Sequence, residues 1–198
     1  MKKVLLLIIV LTLFLSGCKL FVKENEKEEL LSGMVNVEID VKDYGIIKLE
    51  LDANTAPITV TNFVNLAKDG FYDGLTFHRI INGFMIQGGD PDHNGTGGSK
   101  KTIKGEFSSN GVENNISHTR GVISMARSND NNSASSQFFI VHQDSTFLDG
   151  NYAAFGHVTE GMDIVDKIEE QIAPLAIDEN GTIEYENQPV INTIKVIN

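Results

Sequence analysis

The sequence predicts a mainly β domain, a sandwich or a barrel, with two helices. Three observations predict it. Short runs of residues alternate apolar and polar side chains, as half-buried strands do. Gly, Asn and Asp turns separate those runs. Only two stretches carry apolar residues at helical spacing, so the pattern is not that of an α/β chain. The 198 residues suit one domain with a small appendage. Hydrophobic residues at 41% and charged residues at 22% are ordinary for a globular chain.

The first segment is an address. Lys2 and Lys3 precede residues 4–15, which are apolar except for Thr12. A helix of that length spans about 18 Å, short of the ~30 Å hydrocarbon layer, and reads as a signal-peptide core. Leu15-Ser16-Gly17-Cys18 then resembles the bacterial lipobox. The resemblance implies cleavage before Cys18 and lipidation of its thiol. The expected organisation is a leader at 1–17, a lipidated Cys18 with a charged tether at 18–33, and a domain at 34–198. The leader carries two lysines and no acid, so its loss leaves 14 cations against 27 acids. Two or three acyl chains hold a protein to a membrane far better than one. The expected location is therefore the cell membrane or outer membrane, on the extracytoplasmic face.

The domain's elements follow in order. Val35, Val37, Ile39 and Val41 alternate, Tyr44-Gly45 turns, and Ile47, Leu49 and Leu51 alternate again, which predicts a hairpin. Pro57 suits a first helical turn, Val60, Phe63, Val64 and Ala67 share a face, and Gly70 closes the helix. Further strands are expected at 76–81, 84–88, 121–125, 137–141, 153–158 and 190–197. A second helix is expected at 161–171, where Met162, Ile164, Val165 and Ile168 repeat. Strand alternation puts Arg79 with Phe77 and Ile81, Met85 with Gln87, and Gln137 with Phe139. Such a mix of apolar and donor side chains makes a small binding groove.

The composition excludes several functions. A formal charge of −11 opposes a broad basic nucleic-acid surface, so no nucleic acid is expected. One Cys permits neither an internal disulfide nor a thiolate zinc cluster. The five His residues lack HExxH spacing. Residues 90–95 imitate an EF-hand start, but the twelfth position is Lys101. No metal and no cofactor is expected.

FHRIINGFMIQGGD at 77–90, then HNGTGG, SMAR, SQFFIVH and FLDGNYAAFG, resemble the cyclophilin family of peptidyl-prolyl cis/trans isomerases. The likeness runs from about residue 35 to 197, with the motifs in the family's order. It implies a closed eight-stranded antiparallel barrel capped by two helices. It implies a catalytic Arg79, with Gln87 and Phe139 beside it. Phe84, Met85 and Phe139 match the proline pocket, with Phe147 and Leu148 along its edge. Gln137 matches a second groove amide, and Gly95 and Ala126 line the neighbouring groove. Arg127 and Ser128 fall where backbone groups grip the substrate. Three departures stand out. Phe147 replaces a Trp common in eukaryotic members, Tyr152 takes the place of a groove His, and Arg127-Ser128 replace Asn-Ala. The implied partners are Xaa-Pro polypeptides, here exported proteins, met by a monomer at the membrane surface. The alternative is a surface binding module of the same fold that grips Pro-containing segments with little turnover.

Overall fold

The computed structural model describes residues 29–197. Cys18, the leader and residues 19–28 of the expected tether lie outside the described residues. Among these residues the strands are β1 (Met34–Val41), β2 (Gly45–Asp52), β3 (Phe77–Ile81), β4 (Met85–Gly88), β5 (Val122–Met125), β6 (Phe138–Val141), β7 (Ala154–Glu160) and β8 (Ile191–Ile197). Helix α1 (Pro57–Lys68) follows β2, and α2 (Met162–Ile172) follows β7. Each expected strand and helix is present, with ends shifted by a few residues. The tail at 29–33 forms no helix; Leu31 packs on the core and its amide donates to Thr61 Oγ1 at 2.8 Å.

The strands form one antiparallel sheet in the order β3-β4-β6-β5-β7-β2-β1-β8. The sheet curls into a half-barrel. Its end strands, β3 and β8, meet only beside their first residues, through a Thr76–Val190 bridge and a 2.9 Å bond from Phe77 N to Pro189 O. The expected closed barrel is thus a curled sheet with a short seam. The reason lies in the chain between α2 and β8. Residues 181–183 take the edge of β3 instead, with Ile80 N donating to Gly181 O at 2.8 Å and Ile183 N to His78 O at 3.0 Å.

Alternation sorts the side chains into two clusters. Ile39, Leu49, Leu51, Phe77, Ile86, Phe138, Ile140 and Phe155 fill the inside of the curl. Phe63 of α1 enters this core and meets Tyr72, Phe155 and Phe138 at 5.1, 5.3 and 5.4 Å between ring centres. Met85, Val122, Phe139, Val141, Leu148 and Ala154 make a second cluster. In β4 and β6 these residues alternate with the interior ones, which puts the second cluster on the sheet's outer face. Covering both faces explains why β6 reads as an unbroken apolar run.

Helix α1 starts at Pro57 as expected, yet Ala56 offers no side-chain cap. Buried Glu106 does that work from a distant loop. Its carboxylate accepts from Ile58 N (3.0 Å), Thr59 N (2.8 Å) and Thr59 Oγ1 (2.7 Å). An anion at a helix N-terminus satisfies orphan amides and the dipole together.

Candidate active site

The site occupies the outer face of β3, β4 and β6. Met85 and Gln87 share that face, as alternation predicts, and pair across from Val141 and Phe139. β3 departs from simple alternation. Phe77 pairs with Gly88 but Arg79 pairs with Gln87, so His78 is an extra residue in the strand. Phe77 therefore lies in the interior core while Arg79 faces outward beside Gln87. The expected shared face of Phe77 and Arg79 is corrected here: a bulge re-aims the side chain that follows it.

Arg79 is held on two sides. Its Nη1 donates to Gln87 Oε1 at 2.9 Å and its Nε to the Asn180 carbonyl at 2.7 Å. Gln87 Nε2 donates to Gln137 Oε1 at 2.8 Å, and Gln137 Nε2 to the carbonyls of Gly97 (2.7 Å) and Gly95 (3.1 Å). Nη2 of Arg79 has no partner among the described residues. Burial lowers the Arg79 pKa from its usual value, while Tyr152 and Asp178 oppose that shift; a guanidinium stays charged regardless. Burial also pushes neighbouring His78 down to about 4, against the pull of Asp90.

The Asn180 contact was not legible in the sequence. Asn180 lies in the acidic segment at 178–186. In the structure Asp178 ties this turn, accepting from Asn180 N (2.9 Å), Thr182 N (3.0 Å) and Thr182 Oγ1 (2.9 Å). Asp-x-Asn-Gly signals a turn, but nothing local says that its carbonyl meets an arginine a hundred residues earlier.

Arg79 borders a cavity of about 340 Å³. Phe84, Met85, Phe139 and Leu148 make its apolar wall, with Phe147 and Tyr152 at its margin. Phe147 is 70% exposed and meets the Phe84 ring at 5.5 Å. A second cavity of about 380 Å³ is lined by Gly95, Ser128 and Gln137. Sequence reasoning missed its further lining by Thr96, Gly97, Gly98, Ser99, Ser133 and Ser135. Gln87, Ala126 and Arg127 border both cavities, which makes them one groove. Every residue expected at the site within the domain lines one cavity or the other.

Behind Phe139 lies a polar relay that the sequence did not reveal. The His118 ring stacks on Phe139, 6.1 Å between centres. His118 Nδ1 lies 2.8 Å from Asp149 Oδ1 and Nε2 lies 2.9 Å from Ser124 Oγ. The carboxylate only accepts, so Nδ1 carries the proton and Nε2 accepts from the hydroxyl. The order is that of a hydrolytic Ser-His-Asp triad. Ser124 has no exposed surface, however, so no substrate reaches it. The relay braces the pocket wall.

The family model described as "Cyclophilin type peptidyl-prolyl cis-trans isomerase/CLD" matches residues 35–196. The chain belongs to the cyclophilin-type peptidyl-prolyl cis/trans isomerases. This cyclophilin is 44% identical over 146 residues to a Helicobacter pylori peptidyl-prolyl cis-trans isomerase, covering 73% of this chain and 86% of that one. It is 46% identical over 123 residues to peptidyl-prolyl cis-trans isomerase B of Bacillus subtilis, covering 62% and 82%. Its fold matches a Cryptosporidium parvum cyclophilin-type isomerase with a TM-score of 0.72 at 28% identity, over 84% of this chain and 99% of that one. The same parasite enzyme, crystallised in the presence of the dipeptide Ala-Pro, matches with a TM-score of 0.71 at 29% identity, over 82% of this chain and 99% of that one.

Proposed function

We propose that this cyclophilin accelerates rotation of Xaa-Pro bonds in exported proteins, tethered to a membrane through a lipidated Cys18. The observation that carries the reaction is Arg79, fixed by Gln87 and Asn180 at the edge of an apolar pocket. Peptide rotation faces a barrier of about 18–20 kcal/mol, which comes from amide resonance. Xaa-Pro isomers are nearly balanced in energy yet exchange in tens to hundreds of seconds. No bond breaks, so no nucleophile is required. Phe84, Met85, Phe139 and Leu148 hold the prolyl ring while the preceding carbonyl swings. The free Nη2 of Arg79 donates to the prolyl nitrogen as its lone pair localises, or steadies the carbonyl oxygen. Gln87 orients the guanidinium and Gln137 orients Gln87. Only contacts stronger in the twisted state raise the rate. Lowering the barrier by ~5–7 kcal/mol gives roughly 10⁴–10⁵-fold.

The extracytoplasmic role rests on Lys2, Lys3, the apolar run and Leu15-Ser16-Gly17-Cys18. Exchange NMR on a short Ala-Pro peptide, with the purified protein and its Arg79→Ala variant, tests the chemistry. Fast exchange that collapses in the variant supports it. Binding without faster exchange favours the binding-module alternative and overturns catalysis.

A further inference from the structure

Arg127 lies at the waist of the groove, bordering the apolar pocket and the polar cavity alike. Its guanidinium sits 4.7 Å from the centre of the Tyr152 ring and 5.2 Å from that of Phe107. Nε and Nη2 donate to the Asn151 carbonyl at 3.0 and 2.8 Å, and Nη1 to the Ser128 carbonyl at 2.9 Å. A guanidinium has five N–H donors. One on each terminal nitrogen is therefore left over, and no carboxylate pairs with Arg127 among the described residues. Two aromatic faces and two carbonyls fix the group without neutralising it. The lining of both cavities contains two arginines, Arg79 and Arg127, and no Asp or Glu. The chain as a whole has a formal charge of −11. A groove lined by two cations and no carboxylate, with Asp178 facing Arg79 and none paired with Arg127, contrasts with the acidic chain around it.

We infer that Arg127 is a specificity-determining residue that favours substrates with a carboxylate side chain near the prolyl bond. The inference rests on the isomerase reading above, with the prolyl ring in the apolar pocket. Consecutive Cα atoms are 3.8 Å apart, so the side chain one or two residues from that proline falls at the neighbouring waist. Arg suits such a contact because its fork can meet a carboxylate through two donors while its face stays stacked on an aromatic ring. The contact forms with substrate and twisted state alike, so it lowers KM rather than raising kcat. The acidic chain repels the same peptide at long range, so the preference comes from the groove itself.

The test is a set of Xaa-Pro peptides with Glu, Gln or Ala placed one or two residues from the proline on either side. Exchange is measured with the full chain and with Arg127→Gln and Arg127→Lys. In the unmodified protein, at the best position, Glu is expected to exceed Gln about three- to tenfold in kcat/KM, through KM. That Glu/Gln ratio should fall to about one in Arg127→Gln and persist in part in Arg127→Lys. Should Arg127→Gln fail to fold, the ratio in the unmodified protein is measured between low and 0.5 M NaCl, where screening should shrink it. Equal acceleration of all peptides, or a ratio indifferent to Arg127→Gln or to salt, overturns the inference and leaves the isomerase standing. Acceleration of none of them overturns the isomerase reading itself.

Discussion

Arg79 owes its position to an extra residue, a side chain and a carbonyl: the His78 bulge, Gln87 and Asn180. Replacing it with Ala removes the charged donor, and kcat/KM is expected to fall about 10²–10³-fold, as for loss of one oriented donor elsewhere. Lys keeps the charge but cannot meet Gln87 and Asn180 with a planar fork while donating forward. Arg79→Lys should therefore recover little, and a near-normal rate in that variant would refute the positioning account. His78 makes a different prediction. Its ring is buried, its nitrogens lack partners among the described residues, and burial holds it near 4 against an ordinary 6.5. The unfolded chain therefore binds the extra proton between those values. Stability is full above about pH 6.5 and is lost as pH falls towards 4. A shift of that size is worth on the order of 3 kcal/mol. Urea unfolding at pH 7 and pH 4 should show a smaller acid loss in His78→Leu than in the unmodified protein. Identical losses would mean that His78 is not kept neutral by the fold.

At the scale of elements, two loops act on structures far from them in sequence. The Glu106 carboxylate satisfies amides in the first turn of α1, which carries Phe63 into the core. Glu106→Ala is expected to cost about 2–3 kcal/mol of stability, since it strips buried donors of a charged acceptor. The groove lies elsewhere, so KM for an Xaa-Pro peptide should hold while the urea midpoint drops. The 178–183 turn acts on the chemistry instead. Gly181 has φ +79°, and a Cβ there would stand 2.5 Å from Ile80 O. Gly181→Ala must push the turn off β3 and loosen the Asn180 carbonyl from Arg79. The expected result is a several-fold loss in kcat with little change in KM. A change in KM alone would show that the turn serves binding rather than Arg79. These long-range contacts are also what the sequence hid. Alternation announces a strand and its faces, and Asp-x-Asn-Gly announces a turn. Neither says which distant edge the turn will cover, because that depends on how the whole sheet curls.

For the whole molecule, the proposed lipidation of Cys18 sets where it works. A lipidated Cys18 would carry an acidic domain on the membrane's extracytoplasmic side. Mass analysis of the native membrane fraction should find acyl mass on a peptide beginning at Cys18, and Cys18→Ala should release the protein. An unmodified Cys18 in that fraction would end the lipoprotein proposal while leaving the isomerase untouched. The two parts are separable because, among the described residues, the groove lining falls within 79–152, and the 178–182 turn meets Arg79 from later in the chain.

The sequence by itself determined the local features. Its period-two runs placed the strands, Pro57 placed a helix start, and the FHRIINGFMIQGGD and SQFFIVH motifs put a cation and two amides beside apolar residues. Those follow from side-chain period and backbone preference, which act over a few residues. Only the tertiary structure decided that Phe77 and Arg79 part company at a bulge, that Asn180 grips the guanidinium, that Glu106 caps α1, and that the half-barrel closes through a short seam. The last three match a donor with an acceptor across tens of residues or more, and the bulge is set by how β3 pairs with β4. The buried polar groups had to find partners, and the fold settled which ones.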